Sequence, residues 1–107
     1  MAYAYKPLQL ADGALTTTLT TTLFTGAAAT ETLVTCITLC NTHASTTRKV
    51  TVDVSTRKIL DAVAIPPKTT LVWRAPISLP AAEGIRGGQD VGTDVDFIIT
   101  GVERTTA

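Results

Sequence analysis

The chain has 107 residues, with nine basic and nine acidic side chains and a formal net charge of zero. That length holds one domain with a modest core, and the charge balance gives nucleic-acid binding no electrostatic support. Charged residues make up 17% and hydrophobic residues 45% of the chain, a composition of folded globular proteins rather than disordered ones.

The first residues, MAYAYKPLQL, lack the charged and then apolar order of a signal peptide, and no apolar run is long enough to span a membrane. A cytoplasm is therefore the expected site of synthesis and folding, with no membrane partner. Residues 1–13 stand outside the alternating pattern that follows. Tyr3, Tyr5, Leu8 and Leu10 sit there before a turn signal at Asp12-Gly13, so the segment is expected to be an extended arm packing on a neighbouring subunit. Residues 14–107 are assigned to the folded domain.

Threonine accounts for 22 of the 107 residues, and a β-branched side chain suits a pleated strand better than a helix. Leu15, Leu19 and Leu23, spaced by threonines, are therefore expected to line one face of a long outer strand. From Thr32 to Asn41, Leu33, Thr35, Ile37 and Leu39 alternate with Val34, Cys36, Thr38 and Cys40, and both sets are apolar or small, as in a central strand. Val50, Val52 and Val54 then alternate with Thr51, Asp53 and Ser55, predicting a strand with one wet face. A strand over Ile59 to Ile65 ends at Pro66-Pro67, and a short one from Thr69 to Arg74 carries Trp73. Prolines bracket Ile77-Ser78-Leu79 as an edge or corner. Glycines at 84, 87, 88 and 92 mark turns, and a last strand from Val95 to Val102 sets Val95, Phe97 and Ile99 on the face opposite Asp96, Ile98 and Thr100. Seven or eight short strands without a helix predict an all-β fold, a small antiparallel β-sandwich of jelly-roll or immunoglobulin-like type.

Candidate chemistry is sparse. Cys36 and Cys40 lie about 13 Å apart along one strand, too far for a disulfide, and are expected as buried thiols. His43, the single histidine, lies in a polar turn and is the one imidazole base on offer. Asp90, Asp94 and Asp96 offer oxygen ligands to a cation, but at no EF-hand spacing, and serve more simply as turn residues. No catalytic residue, metal site or cofactor is assigned. Trp73 is expected as a core or interface anchor. Residues 48–74 hold six basic groups, among them Arg48, Lys49, Arg57 and Lys58, against two acids, whereas residues 83–104 hold five acids against two arginines. Such segments could pair head to tail between copies.

The run Leu23-Phe24-Thr25-Gly26 to Val34, followed by Ile37-Thr38-Leu39-Cys40-Asn41-Thr42, resembles small structural proteins of tailed bacteriophages. So do Ile65-Pro66-Pro67-Lys68-Thr69-Thr70-Leu71, Pro76-Ile77-Ser78-Leu79 and Thr100-Gly101-Val102-Glu103. Where that group has a glycine-rich turn, this chain has Ser55-Thr56-Arg57-Lys58. The resemblance covers roughly residues 14–104 and implies a β-sandwich virion component, not an enzyme, on the capsid surface or along the tail. The leading expectation is a capsid decoration, or cement, protein that binds the major capsid protein and neighbouring copies of itself, most simply as a homotrimer. Tyr3, Tyr5, Leu8, Leu10, Arg48, Lys49, Arg57, Lys58 and Trp73 are the expected partner-binding residues, and deleting residues 1–12 is expected to abolish shell binding while sparing the fold. A tail or fibre accessory, with tail proteins as partners and host glycans met through Trp73 or the 83–96 loops, is the alternative. A small hydrolase built on His43 or the aspartates is the third.

Overall fold

The computed structural model describes residues 3–26, 30–74, 76–80 and 82–106, and describes side chains over 9–26, 31–74, 76–80 and 82–103. The described residues form nine strands and no helix: β1 (Tyr3–Ala14), β2 (Thr22–Thr25), β3 (Thr30–Asn41), β4 (Arg48–Val54), β5 (Arg57–Ile65), β6 (Thr69–Trp73), β7 (Ile77–Leu79), β8 (Gly84–Gln89) and β9 (Val95–Thr106). One sheet runs β1-β9-β3-β6, with β7 also pairing β3, and the other runs β2-β8-β4-β5. Every pairing is antiparallel. The chain crosses between sheets at β1 to β2, β2 to β3 and β3 to β4, and returns in the same interleaved order. This is the winding of a jelly roll, which decides between the two sandwich types that the strand spacing allows.

The core lies between the sheets. Val34, Ile37 and Leu39 of β3 and Val95, Phe97 and Ile99 of β9 meet Val50 and Val52 of β4, Leu60 and Ile65 of β5, and Ile85 of β8. Extents of 53 × 22 × 19 Å and a radius of gyration of 14.3 Å, against about 13 Å for a compact chain of this length, make the molecule long in one direction.

The N-terminal segment is not an arm outside the sandwich. β1 pairs with β9 from Tyr3↔Thr106 to Ala14↔Asp96, and Leu10 and Ala11 pack against the core. Removing residues 1–12 would therefore strip an edge strand from the sheet, contrary to the expectation that the fold survives.

The threonine-rich stretch is a strand only from Thr22 onward. Leu15 is fully buried, Leu19 is 43% exposed and Leu23 is half-buried, so the three leucines share no face. The cause is local bonding by hydroxyls, which competes with a ladder. The Thr21 hydroxyl donates to the Thr18 carbonyl at 2.8 Å, and the Thr16 hydroxyl meets that of Thr21 at 3.2 Å. This loop still seals the neighbouring sheet edge, because its Thr16 and Thr21 carbonyls accept from the Gln89 and Gly87 amides.

Two bulges set the phase of the front sheet. Thr35 of β3 and Leu10 of β1 are each the extra residue beside β9, at the level of Thr100. Thr32 and Val34 face inward before the bulge, and Ile37, Leu39 and Asn41 do so after it, which leaves Leu33 41% exposed. A single alternation through residues 32–41 therefore fails at one residue, since one inserted position flips every later side chain.

Of the glycines expected to mark turns, Gly92 does lie in a loop, at φ 76°, but Gly84, Gly87 and Gly88 lie in β8, a central strand between β2 and β4. A Cβ at Gly87 would lie 2.6 Å from the Thr51 carbonyl, and one at Gly88 2.7 Å from that of Thr18. The strand is glycine-rich because its neighbours come this close.

Candidate functional site

The residues expected to meet a partner do not converge on one patch. Tyr3, Tyr5 and Leu8 lie in β1 opposite Thr106, Arg104 and Gly101, and their side chains are outside the described residues. Leu10 faces the core and is not free for a partner. Arg48 is spent within the chain: Nε and Nη2 donate to Asp94 Oδ2 at 2.9 and 2.6 Å, and its side chain is only 12% exposed. Lys49 is exposed, with its backbone amide donating to Asp90 Oδ1. Arg57 and Lys58 are exposed at the other end of the same hairpin, where Val54 pairs with Arg57 and Arg48 with Ile65. About 20 Å of strand separates the two basic pairs. Lys58 makes only a loose contact of 3.7 Å with Asp61. Trp73 pairs with Ile37 and packs half-buried against the core.

One ion pair joins the basic to the acidic segment within the molecule, Arg48 with Asp94. A second, Arg86 Nη2 on Asp53 Oδ2 at 3.3 Å, joins the minority charge of each segment, because the fold sets β8 beside β4. Asp53 and Thr51, expected on a wet face, are 6% and 5% exposed. The Thr51 hydroxyl accepts from the Ala62 amide where β5 bulges. The charge asymmetry in sequence is thus partly an internal pairing.

Of the groups considered for catalysis or metal binding, His43 and Asp90 cap backbone amides. His43 Nδ1 accepts from the Ser45 and Thr46 amides at 3.1 and 3.0 Å. Asp90 Oδ1 accepts from the Lys49 and Val91 amides, Asp94 holds Arg48, and Asp96 stands exposed on β9 opposite Cys40. The three aspartates do not share a centre, and no group of three possible metal ligands gathers among the described residues. Cys36 and Cys40 are free and half-buried.

What the fold builds instead is a face. On the front sheet, the side chains turned away from the core include Cys36, Thr38 and Cys40 of β3, flanked by Thr100, Ile98 and Asp96 of β9 and by Val72 and Thr70 of β6. Ile98 is 41% and Val72 37% exposed, and they flank Thr38 on its two sides. Leu33 continues the apolar exposure beyond the Thr35 bulge. Asp12 and Asp96 are the charges at its β1 side. The surface is broad, low in charge and rich in short side chains.

No family model and no curated protein matches this chain. Its fold is similar to that of a family 35 carbohydrate-binding module from Clostridium thermocellum, with TM-score 0.44 and 8% identity over 97% of this chain and 99% of that one. It is similar also to infectious bursal disease virus structures, the Gt strain at TM-score 0.45 and the Gx strain at 0.47, each 11% identical. The match covers 95% and 96% of this chain but spans only 32% and 31% of the viral chains. These likenesses are weak and concern the fold alone.

Proposed function

We propose that this chain is a virion structural protein of a tailed bacteriophage, a capsid decoration protein that binds the outer shell through protein–protein contacts. The observation that carries the reading is the outer face of the front sheet. Ile98, Val72 and Leu33 stand exposed among threonines and thiols, while His43, Arg48, Asp90 and Asp94 are spent on the fold. A flat face of low charge can bury apolar area against a partner, and weak contacts repeated over many copies give strong attachment. The segments resembling phage structural proteins support the same reading, and they lie in strands of the sandwich or at strand ends. Leu23-Phe24-Thr25 lies in β2, Asn41 closes β3, Ile65-Pro66 ends β5 and Ile77-Ser78-Leu79 is β7.

In this role the major capsid protein and further copies of the chain are the partners, a homotrimer is the simplest assembly at a symmetric position, and no catalysis is required. The test is the copy number of the chain in purified particles of the virus that encodes it, by quantitative mass spectrometry against the major capsid protein. Hundreds of copies are expected. A handful, in a multiple of three or six, would move the chain to the tail, and none would overturn the virion reading. Ile98→Arg is expected to lower shell occupancy with the fold intact, since that side chain already meets solvent.

A further inference from the structure

The end of the sandwich that carries the β4–β5 turn holds an open depression of about 220 Å³. Its wall includes Thr22 and Thr25 from β2 and Ser55 and Thr56 from the turn. Arg86 and Glu83 complete the polar lining. Five non-glycine residues with positive φ occur among the described residues, and three of them, Ser55 at 48°, Thr56 at 69° and Ala82 at 67°, border this space. A two-residue hairpin with positive φ at both positions is most readily made by Asn-Gly. Serine and β-branched threonine are strained there, yet both of these hydroxyl-bearing residues border the depression. Left-handed residues kept against their preference cluster where a surface has a task.

We propose that this depression is a subsite for a neutral polyhydroxylated ligand, one pyranose ring of a glycan. Three features select that class. Hydroxyls both donate and accept, as sugar hydroxyls do, and Arg86 adds a donor while Glu83 adds an acceptor. Asp53 Oδ2 holds Arg86 Nη2 at 3.3 Å, so the guanidinium is fixed and its charge offset, and Glu83 leaves the site with no positive excess to attract an anion. The volume lies below the ~300 Å³ at which pockets for drug-sized ligands begin and suits one ring. Among the described residues no aromatic lines the space, so affinity is expected to be on the order of millimolar. This site is separate from the outer sheet face, and loss of shell binding has no bearing on it.

The test is a titration of the ¹⁵N-labelled chain, followed by amide shifts, with the methyl α-glycosides of glucose, galactose and mannose, and with glycerol and sulfate as controls. One glycoside is expected to give saturable shifts centred on Thr25, Ser55, Thr56 and Gly84. Thr25→Val keeps the side chain's shape on an edge strand, and Thr56→Gly removes strain. Both variants should fold, and each should weaken binding about fivefold through the lost hydroxyl. The proposal is overturned if no glycoside saturates, if sulfate shifts these amides instead, if glycerol reproduces the shifts as an adventitious polyol, or if both variants bind like the parent.

Discussion

The two ends of the sandwich are built to different standards. At the end where β3 stops, the buried amides are fully used. Asn41 Nδ2 donates to the Thr46 and Ile65 carbonyls at 2.9 Å each, and its Oδ1 accepts from the His43 amide at 3.0 Å. Gln89 does the same for the next loop, with Nε2 on the Val91 carbonyl and Oε1 on the Val95 amide. At the opposite end, Ser55, Thr56 and Ala82 hold left-handed backbone, against Lys68 at the Asn41 end, and the buried Thr32 Oγ1 and Asp53 Oδ1 find no hydrogen-bond partner among the described residues. A satisfied polar network fixes one geometry, whereas local rules are broken where something other than stability is served. The first end is a clamp, and the second holds the proposed glycan subsite.

Removing the clamp is expected to have the largest effect. Asn41→Ala orphans two carbonyls and one amide at a fully buried position, which costs about 3 kcal/mol. Urea denaturation checks the value, and a loss under about 1 kcal/mol would mean that water replaces the amide and that the end is no clamp. Arg48→Met at the same end is expected to cost about 2 kcal/mol. Breaking a buried ion pair costs more, but the Asp94 side chain is 31% exposed and recovers part of its hydration. If this variant proves neutral by the same measurement, the pair contributes only to loop geometry.

The contrast also shows what alternation can and cannot convey. The separation of Val95, Phe97 and Ile99 from Asp96, Ile98 and Thr100 was legible because β9 runs without an inserted residue between neighbours that absorb the irregularity. Thr35 was not legible as a bulge: its displacement is decided by pairing with residues 65 positions away, where its hydroxyl donates to the Thr100 carbonyl. β8 was misread because its glycines answer to backbone approach from Thr51 and Thr18, a constraint with no periodicity of its own. Two of the residues expected to meet a partner are engaged within the chain for a similar reason. Arg48 looks like free charge until the fold sets Asp94, 46 residues on, against it, and Leu10 looks like part of an arm until β9 pairs with it. The outer face was half visible, since Val34, Cys36, Thr38 and Cys40 stood out as a second small or apolar set, but the bulge removes Val34 from it.

At the strained end the signs reverse. Thr56→Gly should stabilise the protein by about 1 kcal/mol, because a β-branched residue in the left-handed region costs roughly 1 to 2 kcal/mol and glycine returns part of that as unfolded-chain entropy. Thermal unfolding reads this as a rise of a few degrees. A fall would mean that the Thr56 hydroxyl holds the turn, and the strain would then be structural rather than a concession to binding.

The smallest expected effect is the sharpest probe of the contrast. Thr32 is 2% exposed and its hydroxyl has no hydrogen-bond partner among the described residues, so the folded state carries the cost of removing that group from water without a bond in return. Thr32→Val keeps the branching at Cβ and replaces the hydroxyl by a methyl group, in a strand position that favours valine. The expected outcome is a gain of about 0.5 to 1 kcal/mol in urea denaturation with an unchanged slope. A methyl group is slightly larger than a hydroxyl, and the Gly26 backbone passes close by, since a Cβ built there would lie 3.7 Å from Thr32 Oγ1. Thr32→Ala separates the two effects: it relieves crowding and removes the hydroxyl, at the cost of a small cavity. If valine and alanine both destabilise, the hydroxyl has a bound water for a partner and this end is as well satisfied as the Asn41 end. If valine alone stabilises, the difference between the ends lies in hydrogen bonding, and the strained turn at Ser55-Thr56 belongs to a region held short of its attainable stability.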